Sequence, residues 1–137
     1  MGLYLCVMDP DTDEEFDGFE VGTYTYFNVI RDTVINRLGR KLKSKLSLFL
    51  DHPDSDGQWR TEDLVPLRAE IALIRSALEV LPTALLLTED WYLGAFAKVK
   101  RSNLYDCVVT VDAEPFFDRL DRLCDVGITQ GKPILFQ

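Results

Sequence analysis

A single histidine, His52, and three cysteines, Cys6, Cys107 and Cys124, are all that the 137 residues offer for metal coordination by nitrogen or sulfur and for thiol chemistry. One histidine and scattered thiols without C-x-x-C spacing do not assemble a zinc site, and an odd cysteine count gives no complete disulfide framework. The thiols stand inside apolar runs and read as buried groups in a reducing compartment. The 8 glycines and 6 prolines contain neither a Walker loop nor a dinucleotide fingerprint, which excludes the common phosphate cradles. No apolar run approaches the roughly 20 residues that cross a bilayer, and no basic segment precedes the first apolar run, so neither a membrane partner nor an export signal is expected. Positive charge is scarce as well: 15 Lys and Arg stand against 23 Asp and Glu, a net charge of -8. That balance repels phosphate backbones, which disfavours nucleic acid as a partner, and it steers cationic surfaces toward the chain. The expectation is a cytoplasmic protein with no cofactor and no metal, and no oligomeric state follows from the residues.

What is present suits one domain over 1–137 with a sizeable core, since 47% of the residues are apolar. Gly2 to Met8 is an almost continuous apolar run that reads as a strand buried on both faces, broken at Asp9-Pro10. Asp9 to Asp17 crowds Asp9, Asp11, Asp13, Glu14, Glu15 and Asp17 together, a charge density expected in a solvated loop. Phe19 to Gly22 suggests a brief extended segment. From Tyr24, Phe27, Ile30, Val34 and Leu38 recur at helical steps, with Thr23 or Thr25 as cap and Gly39 as stop; the basic residues Arg40, Lys41, Lys43 and Lys45 follow as a solvated end. Leu46 to Leu50 reads as a strand, Asp51 to Gly57 as a turn, and Gln58 to Arg60 as a short extension.

Thr61 to Leu81 carries the clearest helical seam, Leu64, Leu67, Ile71, Ile74, Leu78 and Leu81. Pro66 within its first turn moves the regular start toward Asp63, and Pro82 closes it. The seam is too short for a coiled coil and reads as a core-facing helix. Leu85 to Leu87 fits strand or loop, and Thr88-Glu89-Asp90 caps a short helix through Val99. The closing stretch reads as a strand-helix-strand unit: Cys107 to Val111, then Phe116 to Ile128 with Phe116, Leu120, Leu123, Cys124 and Ile128 as its core face, then Pro133 to Phe136. The order predicts an α+β or α/β fold in which a small mixed sheet is packed by three to four helices.

Three chemistries compete for the polar residues. Asp9, Asp11, Asp13, Asp17 and Glu20 fall on the first, third, fifth, ninth and twelfth positions of an EF-hand calcium loop, with Phe16 at the eighth. Glu14 stands where that loop needs glycine, and a strand precedes it instead of a helix. Asp54, Asp56 and Gly57 have the composition of a turn. An enzyme would have to use His52 or Cys107, neither of which has a sequence-local partner. Trp59 lies beside Asp54 and Asp56 and combines an aromatic anchor with negative charge, as a protein interface does. The expected partner-binding residues are Asp9, Asp11, Asp13, Glu14, Glu15, Asp17, Asp54, Asp56 and Trp59, with no catalytic residue.

Gly2-Leu3-Tyr4-Leu5-Cys6-Val7, Val21-Gly22, Phe27-Asn28, Arg31-Asp32, the Ser55-Asp56-Gly57-Gln58-Trp59 turn and the closing Asn103-Leu104-Tyr105-Asp106-Cys107, Glu114-Pro115, Arg119-Leu120, Leu123-Cys124 and Pro133-Ile134-Leu135-Phe136-Gln137 resemble the immunity protein 70 family of bacterial polymorphic toxin systems. The resemblance runs from end to end and is most specific in the closing block. It implies a small cytoplasmic protein that binds a cognate toxin domain and neutralises it by occluding its functional surface. It brings no family active site with it. The residues alone keep two other readings open, a calcium-binding module over Asp9 to Glu20 and a small enzyme.

Overall fold

A computed structural model describes residues 2–137. Its elements are β1 (Gly2–Asp9), β2 (Glu14–Thr23), α1 (Tyr24–Leu38), α2 (Arg40–Lys43), α3 (Ser47–Leu50), β3 (Gln58–Trp59), α4 (Leu64–Leu78), α5 (Asp90–Lys98), α6 (Phe116–Gln130) and β4 (Ile134–Phe136), with 3₁₀ turns at Thr61–Asp63 and Tyr105–Cys107. The strands form one sheet in the order β2-β1-β4-β3, antiparallel throughout. Of the two expected classes this is α+β, with no parallel pair.

Alternation along β1 sends Leu3, Leu5 and Val7 into the core while Tyr4 and Met8 stay part-exposed, so the sheet is covered by helices on one face and not on both. Helices α1 and α6 lie against it, and α4 packs on α6, α1 and α3. Phe27, Phe49, Phe116, Phe117 and Phe136 meet edge-on or tilted at centroid distances of 4.9–6.3 Å, joining strand, helix and turn in one core. Each such ring removes apolar surface worth roughly 1.5–3 kcal/mol. The expected helix signals hold: Thr23 accepts from Tyr26 N at 3.0 Å, Gly39 closes α1 at φ 80°, and Leu64, Leu67, Ile71, Ile74 and Leu78 are buried.

Three local expectations are corrected. The acidic segment is not a long loop: Glu14, Glu15 and Asp17 belong to β2, and only residues 10–13 form the turn. Bulges between Leu3 and Tyr4 and between Val7 and Met8 adjust the register, so that Phe19 and Val21 enter the core while Glu14, Glu15 and Glu20 remain exposed. Leu46 to Leu50 is not a strand but a turn of helix. Glu70, only 7% exposed, accepts from Leu48 N (3.2 Å) and Phe49 N (3.0 Å), satisfying the free amides of that turn from outside it.

Cys107 to Val111 does not join the sheet either. The Tyr26 hydroxyl donates to Val109 O at 2.7 Å and accepts from Val109 N at 3.1 Å, and the Tyr92 hydroxyl donates to Cys107 O at 2.7 Å. Side chains thus take the hydrogen bonds a neighbouring strand would have made, and an isolated Val109–Pro115 bridge completes the segment.

Removing that hydroxyl with Tyr26→Phe leaves both backbone groups of Val109 unpaired in the core. The expected cost is about 2–4 kcal/mol in urea unfolding, with the denaturant slope unchanged. A second expectation concerns alkali. Burial pushes the Cys6 thiol up to about 11 and the Cys124 thiol up to about 12. Both ionise in the unfolded chain first, so their contribution is complete below the usual thiol value of about 8.5 and is lost as pH rises through their folded values. The urea midpoint should fall steadily above about pH 8.5, and a flat midpoint would contradict the burial of these groups.

Candidate functional site

The carboxylates divide into those the fold neutralises and those it leaves free. Along the seam between α4 and α6, Arg68 pairs with Asp121 (2.9 Å) and Asp125 (3.5 Å), and Arg75 pairs with Asp118 (3.0 Å) and Glu79. Arg122 pairs with Glu114, and the Tyr105 hydroxyl bonds Asp118. A groove of about 450 Å³ runs here, lined by Arg75, Glu114, Pro115, Asp118, Asp121 and Arg122. Every charge in it is answered by one of opposite sign, so it offers no uncompensated group to a ligand.

Arg119 of α6 reaches the edge strand β2. Its guanidinium meets both Asp17 oxygens, at 2.6 and 2.8 Å, and the Gly18 carbonyl at 2.8 Å. Asp17 is thereby withdrawn from the expected binding set. Glu15 accepts from the Tyr4 hydroxyl at 3.1 Å. The ion pairs among the described residues include none with Asp9, Asp11, Asp13, Glu14, Glu15 or Glu20, so one flank, from the β1–β2 turn along β2, keeps its negative charge.

The turn is built by its own polar residues. Asp9 Oδ1 accepts from Asp11 N at 2.9 Å, and Asp13 adopts φ 57°, a left-handed conformation that Asp tolerates better than most residues. This geometry overturns the calcium-loop alternative. Asp9 and Asp17 stand on paired strands, Asp17 is consumed by Arg119, and the six-residue step from Glu14 to Glu20 along β2 separates them by roughly 20 Å. Among the described residues no group of three or more His, Cys, Asp or Glu side chains is arranged to hold a metal ion.

The second acidic group does not join the first. Leu5 pairs with Phe136, and Gln58 pairs with Leu135, so β3 starts at the end of the sheet where β1 starts; the 51–57 turn lies there, opposite the β1–β2 turn. Asp54 accepts from Asn28 Nδ2 at 2.6 Å, while Arg31 donates to the Leu50 and Pro53 carbonyls at 3.2 and 3.4 Å. Trp59 is a core residue and not a surface anchor: it is 1% exposed, and its indole donates to Leu48 O at 2.8 Å.

The two side chains an enzyme would need are also committed. His52 stacks on Phe136 at 4.0 Å, with its ring nitrogens 2.7 Å from Pro53 O and 2.8 Å from Gln58 O, so neither nitrogen is free for a substrate. Cys107 is buried, its thiol faces the Asn103 carbonyl at 3.4 Å, and burial raises its pKa, which disfavours the nucleophilic thiolate. No helix of the described residues is long and apolar enough to cross a membrane.

Residue-number spacing gave no sign of the Arg119–Asp17 pair, which joins positions 102 apart. Glu20 and Trp91, which line a cleft where β1 begins, were likewise outside the expected binding set.

Residues 3–136 match the family model described as Immunity protein 70. No curated protein and no solved structure matches the chain significantly.

The geometry of the flank rests on the Arg119–Asp17 pair. Because the Asp17 side chain keeps 28% exposure, Arg119→Met should cost about 2 kcal/mol in urea unfolding, less than a fully buried pair would. Combining it with Asp17→Asn should cost less than the sum of the single losses, and strict additivity would show that the two groups do not interact in solution.

Proposed function

The chain belongs to the immunity protein 70 family, and on that membership we propose that it binds a cognate toxin domain in the cytoplasm of the producing cell and neutralises it by covering the toxin's functional surface. The observation that carries this reading is the family match over nearly the whole chain. The charge distribution supports it, and we place the docking surface at the carboxylates Asp9, Asp11, Asp13 and Glu14 of the β1–β2 turn, which form no ion pair, continued by Glu15 along β2. Such a flank accelerates encounter with a cationic surface and fixes its orientation, while adding less to the final affinity. A toxin that acts on nucleic acid presents a basic groove of that kind.

Antiparallel strands with one free edge can also recruit a further strand. Here β2 and the two-residue β3 are the edges, and at β2 the carboxylates, two register shifts and Arg119 on the Gly18 carbonyl all discourage backbone pairing. The proposed contact is therefore made by side chains. Trp59 takes no part, and Asp54 and Asp56, at the opposite end of the sheet, form a separate surface.

The test uses the toxin domain encoded beside this chain's gene. Co-expression should rescue growth. Asp11→Lys with Glu14→Lys should slow association about tenfold and flatten its salt dependence, whereas Asp54→Lys with Asp56→Lys should leave both unchanged. Equal association rates for the β1–β2 turn variant and the parent would remove the turn from the interface.

A further inference from the structure

The free flank ends, at the far end of β2 from the β1–β2 turn, in a cleft of about 330 Å³ lined by Gly2, Glu20, Gly22, Thr23, Trp91 and Val111. That volume lies at the small end of the range for ligand sites, roughly 300–1,000 Å³. Gly22, at φ 136°, brings bare backbone under the indole: a Cβ there would stand 2.7 Å from Trp91 Cη2. The indole is held from two other sides. It meets the Tyr26 ring edge-on at 4.9 Å, and its Nε1 donates to Glu89 at 2.7 Å. Val111, also in the lining, follows two residues after Val109, which the Tyr26 hydroxyl fixes. One buried tyrosine thus positions both residues.

Glu20 is the one charged side chain in the lining, and it is exposed. Glu89 and Asp90, beside the indole, are exposed as well, and the ion pairs among the described residues include none with any of these three. Among the described residues no Lys, Arg or His lines the cleft. An anion is repelled by this arrangement, and a purely apolar occupant would strip water from Glu20 without replacing it. A cation on a long apolar stem satisfies both requirements: the stem lies along glycine, valine and indole, while the head meets the carboxylate and the aromatic ring.

We propose that this cleft is a socket for an arginine side chain of the toxin, the anchoring contact of an interface that runs along β2 from the turn at Asp9–Glu14. This rests on the immunity reading and names the chemistry of its central contact. Arginine is favoured over lysine because its planar head can meet a carboxylate through two donors and stack on an indole at the same time. Rigid aromatic pockets that seat one arginine are where binding energy concentrates in protein interfaces.

The chain has 2 tryptophans, hence two indole N–H signals, and Trp59 is buried and serves as an internal control. N-acetyl-arginine amide titrated into the ¹⁵N-labelled protein should shift the Trp91 indole saturably and leave Trp59 in place; N-acetyl-norleucine amide should move neither. Glu20→Gln, an exposed conservative change, should cut the arginine response several-fold and weaken the toxin complex about tenfold, mainly through faster dissociation. An unmoved Trp91 signal, an equal norleucine response, or unchanged toxin affinity in Glu20→Gln would overturn the socket. Failure of the parent protein to rescue growth would instead overturn the immunity reading, whatever the amide titration shows.

Discussion

The buried hydroxyl of Tyr26 both donates to and accepts from the backbone of Val109. A buried peptide unit must be paired, and here a side chain from α1 does what a neighbouring strand would otherwise do. Residues 108–111 lie outside the sheet, in which β2 is an edge strand. The same ring supports Trp91, and Tyr92 ties α5 to Cys107, so the aromatic cluster sets the position of α5 against the strand end.

The net charge of -8 acquires a direction once the ion pairs are placed. Arginines on α4 and α6 absorb the carboxylates of the helical face: Arg68, Arg75 and Arg122 hold Asp121, Asp118 and Glu114. Exposed pairs of this kind add little stability, roughly 0–1 kcal/mol each. Their consequence is electrostatic. They quiet that face of the molecule and leave the carboxylates of the β1–β2 flank outside the ion-pair network. The basic residues Arg40, Lys41, Lys43 and Lys45 sit on and after α2, beyond the far end of α1 from Thr23.

Elements whose causes are local were legible in the amino-acid order. The apolar run of β1, read as buried on both faces where the helices cover only one, the Thr23 cap and Gly39 stop of α1, the seam of α4 and the apolar face of α6 each carry their own signal within a few residues. Leu46–Leu50 was misread because an apolar pentapeptide fits a strand or a helical turn equally, and the choice is made by Glu70, which reaches its amides from another helix. Cys107–Val111 has strand composition, yet the backbone of Val109 at its centre is paired by a hydroxyl 83 positions away. Among the expected site residues, Trp59 is drawn into the core by a strand of only two residues, and Asp17 is taken by Arg119. The α+β class was legible, as was the exposure of Asp9, Asp11, Asp13 and Glu14; the separation of the two acidic groups to opposite ends of the sheet follows from strand order, which no local pattern encodes.

The central claim is that a toxin docks on the acidic flank along β2. Amide hydrogen exchange of the protein alone and in complex with a toxin domain that it neutralises on co-expression tests it most directly. Protection gained over residues 9–20 and 89–91, with the 51–57 turn and α4 unchanged, is the result this account predicts. A complex that forms but protects α4 or the 51–57 turn, and leaves β2 exchanging as before, would contradict it.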